Sequence, residues 1–260
     1  MATENPTQFA TIQGRRLEYL RLAGSAPQLV FLHEGLGSVS LWRDFPARLA
    51  ASTGCETIVY SRYGYGQSAV LADPRETGYM HDEALVVLPR LLEVLGVADP
   101  VLIGHSDGAS IALIYAGSGR RALGIIAEAP HVFVEDISIS SIVAAKTAFD
   151  TTDLPQKLAR HHRDAARTFT GWNDIWLHAD FRAWNIEACL PGVTCPVLAI
   201  QGLDDEYGTL AQLDAIAARV SGPLQQLRLP DCKHSPHRDQ PERTLEAMTR
   251  FVRALAKSRS

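Results

Sequence analysis

Residues 101–115 constrain this chain more than any other stretch. Val101-Leu102-Ile103 is an apolar, β-branched run that reads as a buried strand. Gly104-His105-Ser106-Asp107-Gly108 follows, and Ala109 to Tyr115 then carries small and apolar residues at helical spacing. A strand that turns at once into a helix needs a sharp bend, and glycines two positions before and after the bend keep neighbouring backbone from colliding with it. The serine hydroxyl then stands above the sheet edge, and the backbone N–H of Asp107 is free to donate. The helix N-terminus adds a field that favours negative charge. A glycine-rich turn without chemistry has the same spelling, so the remainder of the chain decides.

Alternation decides the class. The stretches Leu29–Leu32, Thr57–Tyr60, Val101–Ile103, Leu123–Ala127, Val197–Ile200 and Leu224–Leu229 read as strands. Helical stripes over 41–52, 81–95, 210–220 and 241–256 separate them, with Pro89 expected to kink the second and Gly96 to stop it. Phe9–Ile12 and Arg16–Leu22 flank Gly14 as an opening hairpin, and 24–28 reads as a loop. The pattern predicts an α/β fold on a mostly parallel, eight-stranded sheet flanked by helices. Between 131 and 190 the rhythm breaks into helical, polar and locally aromatic sequence that ends at Pro191-Gly192. We read 1–130 with 191–260 as the core and 131–190 as an inserted helical cap over the strand ends.

Composition removes several function classes. The 260 residues are 46% hydrophobic, enough for one large core, and the net charge of −4 gives no basic surface for nucleic acid. Cys55, Cys189, Cys195 and Cys232 are scattered, which fits neither a zinc site nor a disulfide framework. Met1 to Gln8 is polar, unlike a signal peptide, and no apolar run approaches the ~20 residues of a membrane helix. These features predict a cytoplasmic protein with no membrane contact. Nothing in the composition selects an oligomeric state.

Serine chemistry needs a base beside the hydroxyl and a carboxylate that orients the base, all at the carboxyl ends of strands. Gln201-Gly202-Leu203-Asp204-Asp205 follows one late strand, and Asp231-Cys232-Lys233-His234-Ser235-Pro236-His237 follows the last. Chain order is therefore serine, acid, histidine. With His33-Glu34-Gly35-Leu36-Gly37-Ser38 and Arg62-x-Gly64-x-Gly66-x-Ser68, these motifs resemble those of the α/β-hydrolase fold superfamily along the whole chain.

The resemblance implies Ser106 as nucleophile, Asp205 as acid and His234 as base. Its Gly-x-x-Asp spacing favours Asp205 over Asp204. His237 competes with His234, because Lys233 stands where the family has glycine; otherwise His237 is a loop histidine bonded to backbone. His161-His162 read as solvated, and no metal site or cofactor is implied. The oxyanion donors are expected to be the N–H groups of Asp107 and Gly35, with Leu36 as an alternative to Gly35. Glu34 stands where the family usually has glycine. Either it faces the pocket and binds a cationic or hydroxylated part of the substrate, or it forms a salt bridge, with Arg62 for instance; the second reading is favoured. Glu34, His105, Trp172 and Trp176 are the candidate pocket residues. At most two of Phe133, Phe149, Phe169, Trp172, Trp176 and Trp184 are expected to reach the site.

The function expected is hydrolysis of a small carboxylic ester, thioester or lactone through an acyl-enzyme. A C–C bond hydrolase, a proline-type aminopeptidase and a hydroxynitrile lyase are alternatives on the same fold. A non-enzymatic receptor is disfavoured because no triad member is missing. A dehalogenase or epoxide hydrolase is disfavoured because both resemble this pattern but use aspartate where Ser106 stands.

Overall fold

The computed structural model describes residues 7–257, so the polar start Met1–Pro6 lies outside the described residues. Its eight strands form one sheet in the order β1-β2-β4-β3-β5-β6-β7-β8. The strands are β1 Gln8–Ile12, β2 Arg15–Leu22, β3 Ser25–Leu32, β4 Cys55–Tyr60, β5 Val101–His105, β6 Gly124–Glu128, β7 Val197–Gly202 and β8 Leu224–Leu229. The pairs β1–β2 and β2–β4 are antiparallel, and every later pair is parallel.

Helices cover both faces. They are α1 Phe45–Thr53, α2 Tyr79–Asp82, α3 Leu88–Leu95, α4 Asp107–Gly117, α5 Asp136–Thr151, α6 Leu154–Ala159, α7 Ala165–Trp176, α8 Ala211–Arg219, α9 Pro236–Asp239 and α10 Pro241–Lys257. The two-residue period of a strand divides the core. Leu29 and Phe31 of β3 join Leu49 of α1 and Phe251 and Val252 of α10, whereas Val30 and Leu32 join Leu91 of α3 and Ile111 of α4. Strands buried on both faces are apolar throughout, which is why they were readable as unbroken runs. Among the described residues no helix is long and apolar enough to cross a membrane.

Two expectations change, and a third gains a mechanism. The stretch 24–28 is not a loop: β3 starts at Ser25, and its register against β4 shifts between Ser25 and Leu29. The helix expected over 41–52 is broken. One 3-10 turn spans Ser40–Trp42, Arg43 takes φ 55°, and α1 starts at Phe45. Pro46 causes the late start, because its missing N–H is harmless only in the first turn of a helix. At Pro89, where a kink is expected, the helix widens into a π turn over the preceding residues Glu83–Val87 and then continues. The Leu85 carbonyl, four residues before Pro89, accepts from Arg120 Nη2 at 2.9 Å, which replaces the bond that proline cannot make.

The topology sets the site. The chain runs from β3 outward to β4 and then returns to β5 on the other side of β3. Loops leaving β3 and β5 therefore meet at the point where the winding reverses, the usual ligand crevice of open parallel sheets. Between β6 and β7, α5 and α7 bring Ser138, Ile142, Trp172 and Trp176 to a cavity at that crevice.

Candidate functional site

Ser106 joins β5 to α4 with φ 53° and ψ −117°, a strained conformation for a residue with a side chain. The bend brings backbones almost into contact. A Cβ on Gly104 would lie 2.2 Å from the Gly108 carbonyl oxygen, and one on Gly108 would lie 2.0 Å from that of Leu32. The Ser106 carbonyl accepts from the N–H of Ala109 at 2.9 Å and of Ser110 at 3.1 Å. A planar trans peptide then points the Asp107 N–H the opposite way.

The same logic orients Gly35. The Glu34 carbonyl accepts from His33 Nδ1 at 2.7 Å, Arg62 Nη2 at 2.9 Å and Gly37 N–H at 3.1 Å. Pinned by three donors, it turns the Gly35 N–H away from them. Among the described residues no protein group accepts from the N–H of Gly35 or Asp107. Burial, with the Arg62 charge, pushes His33 well below its ordinary value. The neutral ring thus donates through Nδ1 and accepts the Arg62 N–H through Nε2 at 3.0 Å.

Past β7 and β8 the expected acid and base meet. His234 Nδ1 lies 2.8 Å from Asp205 Oδ1. That oxygen also accepts from the N–H of Tyr207 at 2.8 Å and of Gly208 at 3.2 Å, and Gln201 Nε2 donates to Oδ2 at 3.2 Å. Burial alone would raise the Asp205 carboxyl, but His234 and the Tyr207 N–H bring it down to about 2. Asp204 is exposed, and among the described residues it is Asp205, not Asp204, whose carboxylate pairs with His234. Ser106 and His234 line one cavity of about 110 Å³, walled by Leu36, Ile142, Trp172 and Trp176.

His237 lies elsewhere. Its Nδ1 is 2.7 Å from Glu128 Oε2, both side chains are buried, and its ring packs 4.6 Å from Trp42. The expected backbone bond is replaced by a carboxylate at the end of β6. His162 also departs from expectation. It is buried, accepts from Gly66 N–H at 2.9 Å and donates to the Leu36 carbonyl at 3.1 Å. Burial lowers it to about 4, so a neutral ring ties the Gly64–Gly66 turn to the loop after β3. His161 is the more accessible of the pair, with Nδ1 2.8 Å from Ser40 Oγ.

Glu34 combines both readings and changes the partner. It lines the cavity, yet its carboxylate lies 3.5 Å from His105 Nδ1 and 3.6 Å from Arg238. Arg62 instead holds the Glu34 backbone and, at 3.5 Å, the Asp107 carboxylate. Burial opposes a charged Glu34, but His105 and Arg238 hold its carboxyl well below the ordinary range. Tyr79 donates to the same Asp107 carboxylate at 2.7 Å and accepts from Trp176 Nε1 at 3.1 Å. A hydrogen-bonded chain thus runs from the cavity wall to the turn after Ser106.

Of the six aromatics considered, Trp172 and Trp176 line the cavity. Phe149 stacks on Phe169 at 3.9 Å, and Trp184 on Phe181 at 5.5 Å. Sequence reasoning missed His131, Ser138 and Tyr207, which also line it. The signal for His131 was its place just past β6, the edge where the other cavity residues leave their strands. Among the described residues no group of three His, Cys, Asp or Glu side chains forms a metal site.

A model described as the alpha/beta hydrolase family matches residues 29–247. Proline iminopeptidase of Lactobacillus delbrueckii subsp. lactis is 33% identical over 100 residues, 37% of this chain and 34% of that protein. The chain thus matches about a third of that relative's length. Two solved structures share the fold over nearly their whole lengths. Proline iminopeptidase of Mycobacterium smegmatis has a TM-score of 0.76 and 17% identity over 98% of this chain and 100% of the other. The enol-lactonase of Burkholderia xenovorans LB400 has a TM-score of 0.75 and 20% identity over 94% and 99%. With the family model spanning most of its length, the chain belongs to the alpha/beta hydrolase family.

Proposed function

We propose that this protein is a serine hydrolase of small carboxylic esters, thioesters or lactones. One observation carries the reading: Ser106, at a strained strand-to-helix turn, shares a cavity with His234, whose imidazole is paired at 2.8 Å with the buried Asp205 carboxylate. In this mechanism His234 takes the Ser106 proton as the hydroxyl attacks the carbonyl carbon. The N–H groups of Gly35 and Asp107 hold the oxyanion. Asp205 orients the imidazole and stabilises its charged form. His234 then protonates the leaving group, and water repeats the cycle on the acyl-enzyme. Residues 131–190 act as the cap that limits substrate size, and the cavity of about 110 Å³ suits a short acyl chain.

The test is hydrolysis of p-nitrophenyl esters from acetyl to octanoyl by wild type and by Ser106→Ala. The reading requires turnover of the short esters that falls by at least about 10³-fold in the variant. Turnover that survives the substitution overturns the assignment of Ser106. Sequence similarity to the Lactobacillus proline iminopeptidase favours a second reading, cleavage of an N-terminal proline. L-prolyl-p-nitroanilide in the same panel separates the two. Preference for the anilide over every ester replaces the first reading with the second.

A further inference from the structure

Several polar side chains lining the cavity are committed to protein partners. Glu34 faces His105 and Arg238. His105 Nε2 is 2.7 Å from the His234 carbonyl, and Ser138 donates to the Tyr207 carbonyl. Ser106 and His234 are the reacting pair of the proposed mechanism. His131 lines the same cavity, and among the described residues its ring donates to and accepts from no protein group. It is 2% exposed, and among the described residues its Nδ1 has no hydrogen-bond partner. Buried polar groups in folded proteins nearly always have a partner, so an unpartnered imidazole whose ring lines a cavity points to a ligand group.

The place of His131 is fixed from several sides. Its backbone carbonyl accepts from Ser110 Oγ at 2.6 Å, and the next N–H, of Val132, donates to Gln212 Oε1 at 2.7 Å. The ring lies 5.2 Å from that of Trp176 and 5.6 Å from that of His234. Burial, then the charge of His234, lowers His131 to about 4, so the imidazole is neutral at neutral pH. A neutral imidazole offers one N–H and one lone pair. A hydroxyl can satisfy either, and a carbonyl oxygen can satisfy the N–H. A carboxylate would lie in the field of Asp205, Asp107 and Glu135, and among the described residues no Lys or Arg lines the cavity to receive it.

We propose that His131 forms a subsite for a second, uncharged oxygen of the substrate, so that the favoured substrates are small esters carrying a hydroxyl or keto group a few bonds from the scissile carbonyl. The proposal rests on the serine-hydrolase reading for its chemistry, and its test is one of binding, so the two can fail separately.

Ethyl butyrate, ethyl 3-hydroxybutyrate and 2-hydroxyethyl butyrate are titrated into Ser106→Ala protein and followed by NMR. The expected result is that one hydroxylated ester binds at least about ten-fold more tightly than ethyl butyrate, the size of one neutral hydrogen bond. The ester that gains tells whether the oxygen belongs to the acyl or the alcohol side. Adding His131→Phe keeps the ring and removes both nitrogens, and the preference should fall to about one-fold. His131→Asn, which keeps a donor and an acceptor, should retain part of it. Equal binding of all three esters, no measurable binding of either hydroxylated ester, or a preference that survives His131→Phe overturns the subsite. Turnover of the same esters by wild type reports separately on the hydrolase reading.

Discussion

The imidazole of His105 donates through Nε2 to the backbone carbonyl of His234, 2.7 Å away. The residue before the candidate nucleophile thus holds the loop of the candidate base. The opposite nitrogen of His105 faces the Glu34 carboxylate at 3.5 Å. Both ring nitrogens face acceptors, an arrangement satisfied by the imidazolium. Burial works against that charge, yet Glu34 raises the His105 value above its ordinary 6.5.

The Glu34–His105 pair predicts a pH window of stability. Glu34 titrates below its ordinary 4.5, so its contribution is present above pH 4.5 and is lost as pH falls through the folded value. His105 titrates above 6.5, so its contribution is complete below 6.5 and is lost as pH rises through the folded value. Both act together between about pH 4.5 and 6.5. Urea denaturation of wild type and Glu34→Gln should therefore differ most in that window, by about 2 kcal/mol. A difference that stays constant from pH 4 to 9 would refute the charged pairing.

Asp205→Asn should leave the fold intact and remove the charge that favours the His234 imidazolium. An activity loss of about 10³–10⁴-fold in kcat, with KM little changed, is expected for an orienting carboxylate. Because Asp205 titrates at about 2, wild-type activity should show no limb from this group above pH 4. Steady-state kinetics across pH check both statements.

Gly108→Ala places a carbon 2.0 Å from the Leu32 carbonyl oxygen, where only backbone surrounds it. Strand β3 and helix α4 must separate to admit it. The expected cost is about 3 kcal/mol, the upper end for overpacking, measured as a shift in the urea midpoint. Gly78→Ala, with nothing within 4 Å of the added carbon and no left-handed φ, serves as the control for lost glycine freedom alone.

Gly35→Ala tests the cavity wall. The added carbon would lie 2.1 Å from Trp172 Nε1. The indole must swing away, which disturbs the loop that carries the Gly35 N–H. Ester turnover should fall by about 10²-fold, as for loss of one oxyanion donor. The double variant with Trp172→Phe should recover part of it, since the smaller ring removes the collision. No recovery would place the effect in the backbone conformation of the loop.

What the sequence revealed and what it hid follow from the range of the forces involved. The β5–Ser106–α4 turn was readable because its requirement is local: the glycines that relieve the collisions lie two residues from the serine. The buried strands were readable because both faces of each are apolar. The Glu128–His237 pair spans 109 positions, and the Glu34–Arg238 pair crosses most of the chain. Such pairings are set by tertiary packing and leave no periodicity. His131 was passed over because a single histidine after Pro130 has no spacing partner; its meaning comes from the cavity. The break at Arg43 was hidden because the apolar stripe continues across it, while Pro46 allows a helix only from Phe45 onward.

Helix α5 is joined to the loop of Asp205. Ser138 and Ser141 donate to the carbonyls of Tyr207 and Glu206, and Glu135, just before the helix, accepts from Thr209 and Gln212. Helix α5 and the Asp205 loop are therefore tied together by hydrogen bonds. A hinge at α5 wide enough to admit a substrate would drag Asp205 from His234 and disarm the base while the door stood open. In the proposed mechanism, substrate would therefore reach Ser106 by a path that leaves α5 in place and the Asp205–His234 pair intact.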